Sequence, residues 1–174
     1  MAARSPDVVL EYPNRDKASS KATKAVVVLL ILLSVGLMAV VTIGGWDKLQ
    51  GARPIQIAYM AIYLIVAFYI ARWRSGLLPV SAALAIILLI FAAVSGPEWF
   101  ARDKEGFTDP ALDSSVLGLV TLLLVPVQVL LIAFSMSGFR QNWHVEVERH
   151  PEGGRGRRPS GSGSGSSGAA PAPA

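Results

Sequence analysis

The sequence predicts an all-α integral membrane protein: four transmembrane helices in an up-down antiparallel bundle, with both termini in the cytoplasm. Three observations predict it. Four runs, residues 25–43, 55–71, 77–94 and 116–134, contain no Asp, Glu, Lys, Arg or His. Mean hydropathy is +0.48 with 52% apolar residues, above what a soluble domain of this length usually shows. Twelve of the sixteen Lys and Arg residues fall on the first, third and last of the segments flanking those runs, which would all lie on one side of a membrane. At about 1.5 Å per residue each run reaches roughly 25–29 Å, close to a hydrocarbon core of about 30 Å. The runs are apolar all round, whereas a soluble helix would alternate apolar and charged faces.

Residues 1–24 hold Arg4, Arg15, Lys17, Lys21 and Lys24 and are expected as a cytoplasmic N-terminal segment. The four-helix domain is expected over residues 25–139. Its first run is longer than the core of a usual signal peptide, and IGGWDKLQGARP after it is a weak match to a cleavage site, so it is expected to stay as a span. The first loop has only Lys48 and Arg53. With the four-span layout, the GGWDKLQG in this loop resembles the DoxX group of small bacterial membrane proteins. The acidic residue and glycine-rich ending that the resemblance implies for later spans are missing, since 55–71 has no Glu, and no residue role is carried over.

The second span presents Gln56, Tyr59 and Tyr63 as a stripe, and RWRSG after it places Arg72 and Arg74 on the cytoplasmic side. In the third span Ser81 with Ala85, and Ala92 with Gly96, are small-residue steps that permit close helix approach. The segment 96–115 is expected as an outer acidic loop, where a deficit of basic residues belongs. It carries Glu98, Asp103, Glu105, Asp109 and Asp113 against Arg102 and Lys104. Glu98, Asp103, Glu105 and Asp109, around Trp99, Phe100 and Phe107, are the candidates for an outer cation or partner surface, although their spacing is not that of an EF-hand. Asp113 is placed to cap a helix starting at Ser114 or Ser115.

On the fourth span Gly118, Thr121, Val125, Gln128, Ile132 and Ser135 recur at helical spacing and should face the bundle. Ser34, Tyr63 and Gln128 fall near mid-depth. Pro126 beside them removes a backbone donor, frees the Leu122 carbonyl and marks a helix kink. The candidate intramembrane polar cluster is Ser34, Gln56, Tyr59, Tyr63, Thr121 and Gln128. Two readings stay open: interhelical hydrogen bonds, or a small polar path. The lack of any ionisable group inside the spans favours the first.

Trp46, Trp99 and Phe100 on the outer side, and Tyr69, Trp73, Phe139 and Trp143 on the inner side, read as aromatic belts. Residues 140–150 form a juxtamembrane segment. Its His144, Glu146, Glu148 and His150 share a face only if extended, and no metal site is expected there. Residues 151–174, of Gly, Ser, Pro and Ala, are expected as a disordered tail whose Arg155, Arg157 and Arg158 can touch anionic headgroups.

There is no cysteine, Walker loop, zinc-protease helix or nucleophile elbow; GSGSSG in the tail lacks the strand and helix that would make it a phosphate loop. No catalytic residue, cofactor or nucleic-acid partner is expected. The resulting expectation is a non-enzymatic accessory or scaffold subunit of a membrane complex, with a membrane-protein partner or a second copy of itself. The alternative is a small oligomeric transporter or channel with its path through the second and fourth spans. The expected location is the cell membrane, multi-pass, and the Ala, Gly and Val content with Arg over Lys in the tail suits a bacterial inner membrane.

Overall fold

The computed structural model describes residues 9–11, 13–49, 51–102, 110–143 and 147–149. In chain order the elements are β1 (Val9–Glu11), α1 (Pro13–Asp16), α2 (Ala18–Gly44), α3 (Arg53–Ala71), α4 (Leu78–Ala101), α5 (Ser114–Arg140) and β2 (Val147–Arg149). Single 3-10 turns, Trp46–Lys48 and Ser75–Leu77, precede α3 and α4. The four long helices are each long and apolar enough to cross a membrane, which is the build of a multi-pass membrane protein.

The helices outrun the apolar runs because hydropathy marks lipid contact, not helicity. Ser19, Ser20, Lys21, Thr23 and Lys24 are polar yet helical, so α2 begins seven residues before the run at 25. Pro lies at the first positions of α3 and α4, where its missing N–H has no intrahelical acceptor in any case. Helix α4 passes through Pro97 and ends at Ala101, so the first six residues of the expected loop 96–115 are helix, its last two begin α5, and only residues 102–113 connect α4 to α5. Asp113 is the N-cap of α5, accepting from the Ser115 N–H at 2.8 Å and the Ser115 hydroxyl at 2.6 Å.

Named contacts set the helix directions. Ser81 meets Ser135 and Gly96 meets Leu122, so α4 and α5 are antiparallel. Ser34 meets Gln128 and Thr23 meets Gln141, so α2 and α5 are antiparallel as well. Thr42 meets Gln56 while Lys24 reaches the Ala71 carbonyl, which sets α3 against α2 in the same way. Helix α5 is therefore central, packed along both α4 and α2, while α3 leans on α2 and barely touches α4. Consecutive helices were expected to be neighbours throughout, and at α3–α4 they are not. The small face of α4 (Ser81, Ala85, Ala92, Gly96) is buried against α5, whereas α3 turns bulky Tyr59 and Tyr63 inward, so the close approach goes to α5 and a seam opens at α3.

The pattern of burial is that of a membrane bundle. Ser34, Ser81, Gln128 and Ser135 are fully buried, while Leu29, Ile43, Phe91 and Leu119 are each more than 60% exposed. A hydrocarbon surround explains both sides of that inversion, since a Leu gains nothing by leaving lipid and a Gln amide gains a partner.

One end of the bundle holds both described chain ends. β1 and β2 pair antiparallel, with Val9 opposite Arg149, Leu10 opposite Glu148 and Glu11 opposite Val147. Asn14 Nδ2 donates to the Asn142 carbonyl at 3.0 Å and Arg15 Nε to the Trp143 carbonyl at 3.2 Å, clasping α1 to the end of α5. The described parts of the segments 1–24 and 140–150 are thus joined, through residues 9–11 and 14–15 on one side and 142–143 and 147–149 on the other.

Candidate functional site

The six candidate intramembrane residues divide into two groups. In the first, Gln128 of α5 donates through Nε2 to Ser34 Oγ of α2 at 2.8 Å and accepts from the Tyr63 hydroxyl of α3 at 2.9 Å. Ser34 sends its own proton to the Leu30 carbonyl at 2.7 Å, so its lone pair is free for Gln128. Tyr59 stands one turn away with its ring edge-on to Tyr63, centroids 5.2 Å apart, and its hydroxyl donates to the Leu84 carbonyl of α4. Hydrogen bonds thus tie α2, α3 and α5 at mid-depth, and the Tyr59–Tyr63 ring contact with the Tyr59–Leu84 bond extends the tie to α4. A second tie lies nearer the termini. Ser81 donates to the Leu78 carbonyl, so in the 2.8 Å contact between Ser81 Oγ and Ser135 Oγ it is Ser135 that donates. No buried side-chain polar atom among the described residues lacks a partner.

Gln56 and Thr121 stay outside the tie. The Thr42 hydroxyl donates to the Met38 carbonyl of its own helix at 2.7 Å and meets the Gln56 side-chain amide at 2.8 Å, and Thr121 donates to the Leu117 carbonyl of its own helix at 2.7 Å. Both, with Tyr59, line a crevice of about 260 Å³ between α3 and α4 at the end away from the termini. Thr42 has no place among the sequence candidates; a Thr one residue from the end of an apolar run gives no signal beyond its polarity. Pro126 sits on the exposed side of α5, and helical backbone continues through it.

The aromatic residues are less uniform than two belts. Trp46, Tyr69, Phe100 and Phe139 are 40–47% exposed, as an interfacial ring should be. Trp99 and Trp143 are buried, which corrects their assignment to the belts. Trp99 packs with Val41 and Leu117 inside the bundle. Trp143 plugs the termini end: its Nε1–H donates to Gln141 Oε1 at 3.1 Å, Gln141 Nε2 donates to Thr23 Oγ1 at 3.0 Å, and its ring meets Trp73 edge-on at 5.3 Å. From sequence, a Trp beside a span looks the same whether it anchors or plugs.

Trp73 ends α3 in a turn that glycine usually makes. Its φ is 65°, its N–H bonds to the Ile70 carbonyl at 2.9 Å, and the Arg74 N–H reaches back to the Tyr69 carbonyl at 3.1 Å. A bulky residue in the left-handed region costs about 1–2 kcal/mol. The Lys24 ammonium, 3.9 Å from the Trp73 ring centroid, and the Trp143 ring offset that cost.

Of the candidate outer surface, Glu98 is exposed in the last turn of α4, and Asp103, Glu105 and Asp109 lie outside the described residues. His144, Glu146 and His150, the side chain of Glu148, and Arg155, Arg157 and Arg158 lie outside them too. Among the described residues no three His, Asp or Glu side chains come together. No protein-family model, curated protein or solved structure matches the chain, so the likeness of residues 44–51 to the DoxX group has no family match behind it.

Proposed function

We propose that the protein is a non-enzymatic accessory or scaffold subunit of a complex in a bacterial cell membrane, with the termini end of the bundle in the cytoplasm. The observation that carries this reading is the mid-depth tie. The polar side chains a solute path would need, Ser34, Tyr63 and Gln128, are fully buried and occupied with one another. Side chains consumed in helix-to-helix hydrogen bonds hold a shape; they do not line a conduit. The orientation rests on the Lys and Arg distribution, twelve of sixteen on residues 1–24, the 72–76 loop and the segment after Phe139. The apolar faces of α2 to α5 leave ample surface for a partner's span beside lipid.

The transporter reading has one observation in its favour: Gln56, Tyr59 and Thr121 line the crevice. That crevice meets the tie at Tyr59, whose hydroxyl is held by α4. Mild solubilisation followed by mass determination, with the purified chain also reconstituted in liposomes, separates the readings. A scaffold purifies with other subunits in fixed ratio and passes no solute alone. A homo-oligomer that carries solute by itself would refute the proposal.

A further inference from the structure

Among the described residues two other than glycine have left-handed backbone, Trp73 with φ 65° and Asn142 with φ 46°, and both turn the chain into the same junction. Asn142 follows the last turn of α5, where its N–H reaches the Phe139 carbonyl at 3.4 Å, and sends Trp143 back over the helix just left. A Cβ placed on Gly138 would lie 3.3 Å from the Trp143 ring and 3.2 Å from both Thr23 and Leu78, so the indole is seated on a bare stretch of α5 between α2 and α4. Asparagine tolerates such a turn, because its short polar side chain can bond locally. Trp73 is strained there, where glycine would make the same turn freely. An indole kept at that position is kept for what it touches: the edge of the Trp143 ring and the Lys24 ammonium. Strain of this kind collects where a structure clamps or switches.

Trp143 is fully buried, and the core it joins at this end, Val27, Ile70 and Leu78, is fully buried as well. What holds the indole from outside is lighter. The Trp143 carbonyl accepts from Arg15 Nε and the Asn142 carbonyl from Asn14 Nδ2, and both donors stand on the short, partly exposed α1. On the inner side Lys24, which faces the Trp73 ring, also donates to the Ala71 carbonyl at 3.3 Å, so the last turn of α3 is fastened to the same junction. A displacement of α1 is therefore delivered to Trp143, and from Trp143 to the ends of α2, α3 and α5.

We propose that Trp143 is a releasable plug, seated on Trp73 and latched by Asn14 and Arg15, so that a change at the terminal segments opens this end of the bundle. The device is independent of whether the protein acts as a scaffold. The chain has no cysteine, so one introduced thiol reports one position. Val27→Cys places it in the core under the plug, and Val41→Cys, buried near the other end of α2, is the control. Labelling of the detergent-purified full chain by a water-soluble maleimide reads the open fraction at each. Asn14→Ala with Arg15→Ala should speed labelling at position 27 by about thirtyfold, taking about fivefold per hydrogen bond, and leave position 41 unchanged. No acceleration at position 27 would overturn the proposal, and so would equal acceleration at both, which is general loosening. Trp73→Ala and Trp73→Gly test the seat. Both remove the ring and should expose position 27, but the glycine variant escapes the left-handed penalty and should show a folded-to-unfolded ratio about five- to thirtyfold larger than the alanine variant. The reverse order, the one expected inside regular structure, would mean that Trp73 stores no strain and overturn the proposal as well.

Discussion

The α4–α5 contact and the α3–α4 seam are made from one helix, α4, and end in opposite ways. Toward α5 it presents Ser81, Ala85, Ala92 and Gly96, and backbone approaches so closely that a Cβ on Gly96 would lie 2.5 Å from Leu122 Cδ2. Toward α3 it has one polar contact, Leu84 with Tyr59, and above that contact a crevice. Apolar surface cannot draw helices together in lipid, because the tails are as apolar as Leu; small residues and hydrogen bonds decide which pairs close. The difference teaches that a bundle of uniformly apolar helices still has a grain, a tight side and an open one.

Breaking the closed side should have large effects. Trp143→Ala removes the plug that joins α5, Thr23 and Trp73, and should destabilise the protein by about 3–5 kcal/mol in a detergent unfolding titration. Gly96→Leu inserts a side chain where Leu122 already stands and should cost about 1–3 kcal/mol, with a lower melting temperature. A glycine on the lipid face sharpens the contrast. Nothing lies within 4 Å of a Cβ at Gly36, so Gly36→Ala should stabilise α2 by about 0.5–1 kcal/mol. On the open side Phe91→Ala exchanges one lipid contact for another and should change stability by less than about 0.5 kcal/mol.

The smallest effect is expected from pH at the α5 cap. The Ser115 hydroxyl, then the Ser115 backbone N–H, holds the exposed Asp113 carboxyl below its ordinary value of 3.8. A group whose pKa is lower folded than unfolded stabilises fully above the unfolded value and loses that contribution as pH falls through the folded one. Acidification from pH 5 to below 3 should therefore loosen the start of α5 slightly, and Asp113→Ala should abolish that dependence, both read by amide exchange at residues 114–117.

Much of this architecture was legible in the chain. Uncharged runs marked the four long helices because no charge tolerates hydrocarbon, and the spacing of Gly118, Thr121, Gln128 and Ser135 marked the buried face of α5. Three features were not legible, each for a physical reason. The ladder between residues 9–11 and 147–149 joins segments far apart in sequence, which no local pattern encodes. Trp99 and Trp143 carry the amphipathic ring of an interfacial anchor, and only the neighbours of each determine that it is buried. The small face of α4 announced a close contact without naming the partner, so the seam at α3 followed only once α5 had occupied that face.

The account turns on the mid-depth tie being structural, and Gln128→Leu examines that most directly. The substitution leaves the Tyr63 hydroxyl and Ser34 without their shared partner. In liposomes, unfolding and solute release should be followed on the same preparations. The account predicts a loss of about 0.6–2 kcal/mol in stability, with solute release at background for both the parent chain and the variant. Solute-dependent release by the parent chain that the variant loses would contradict it.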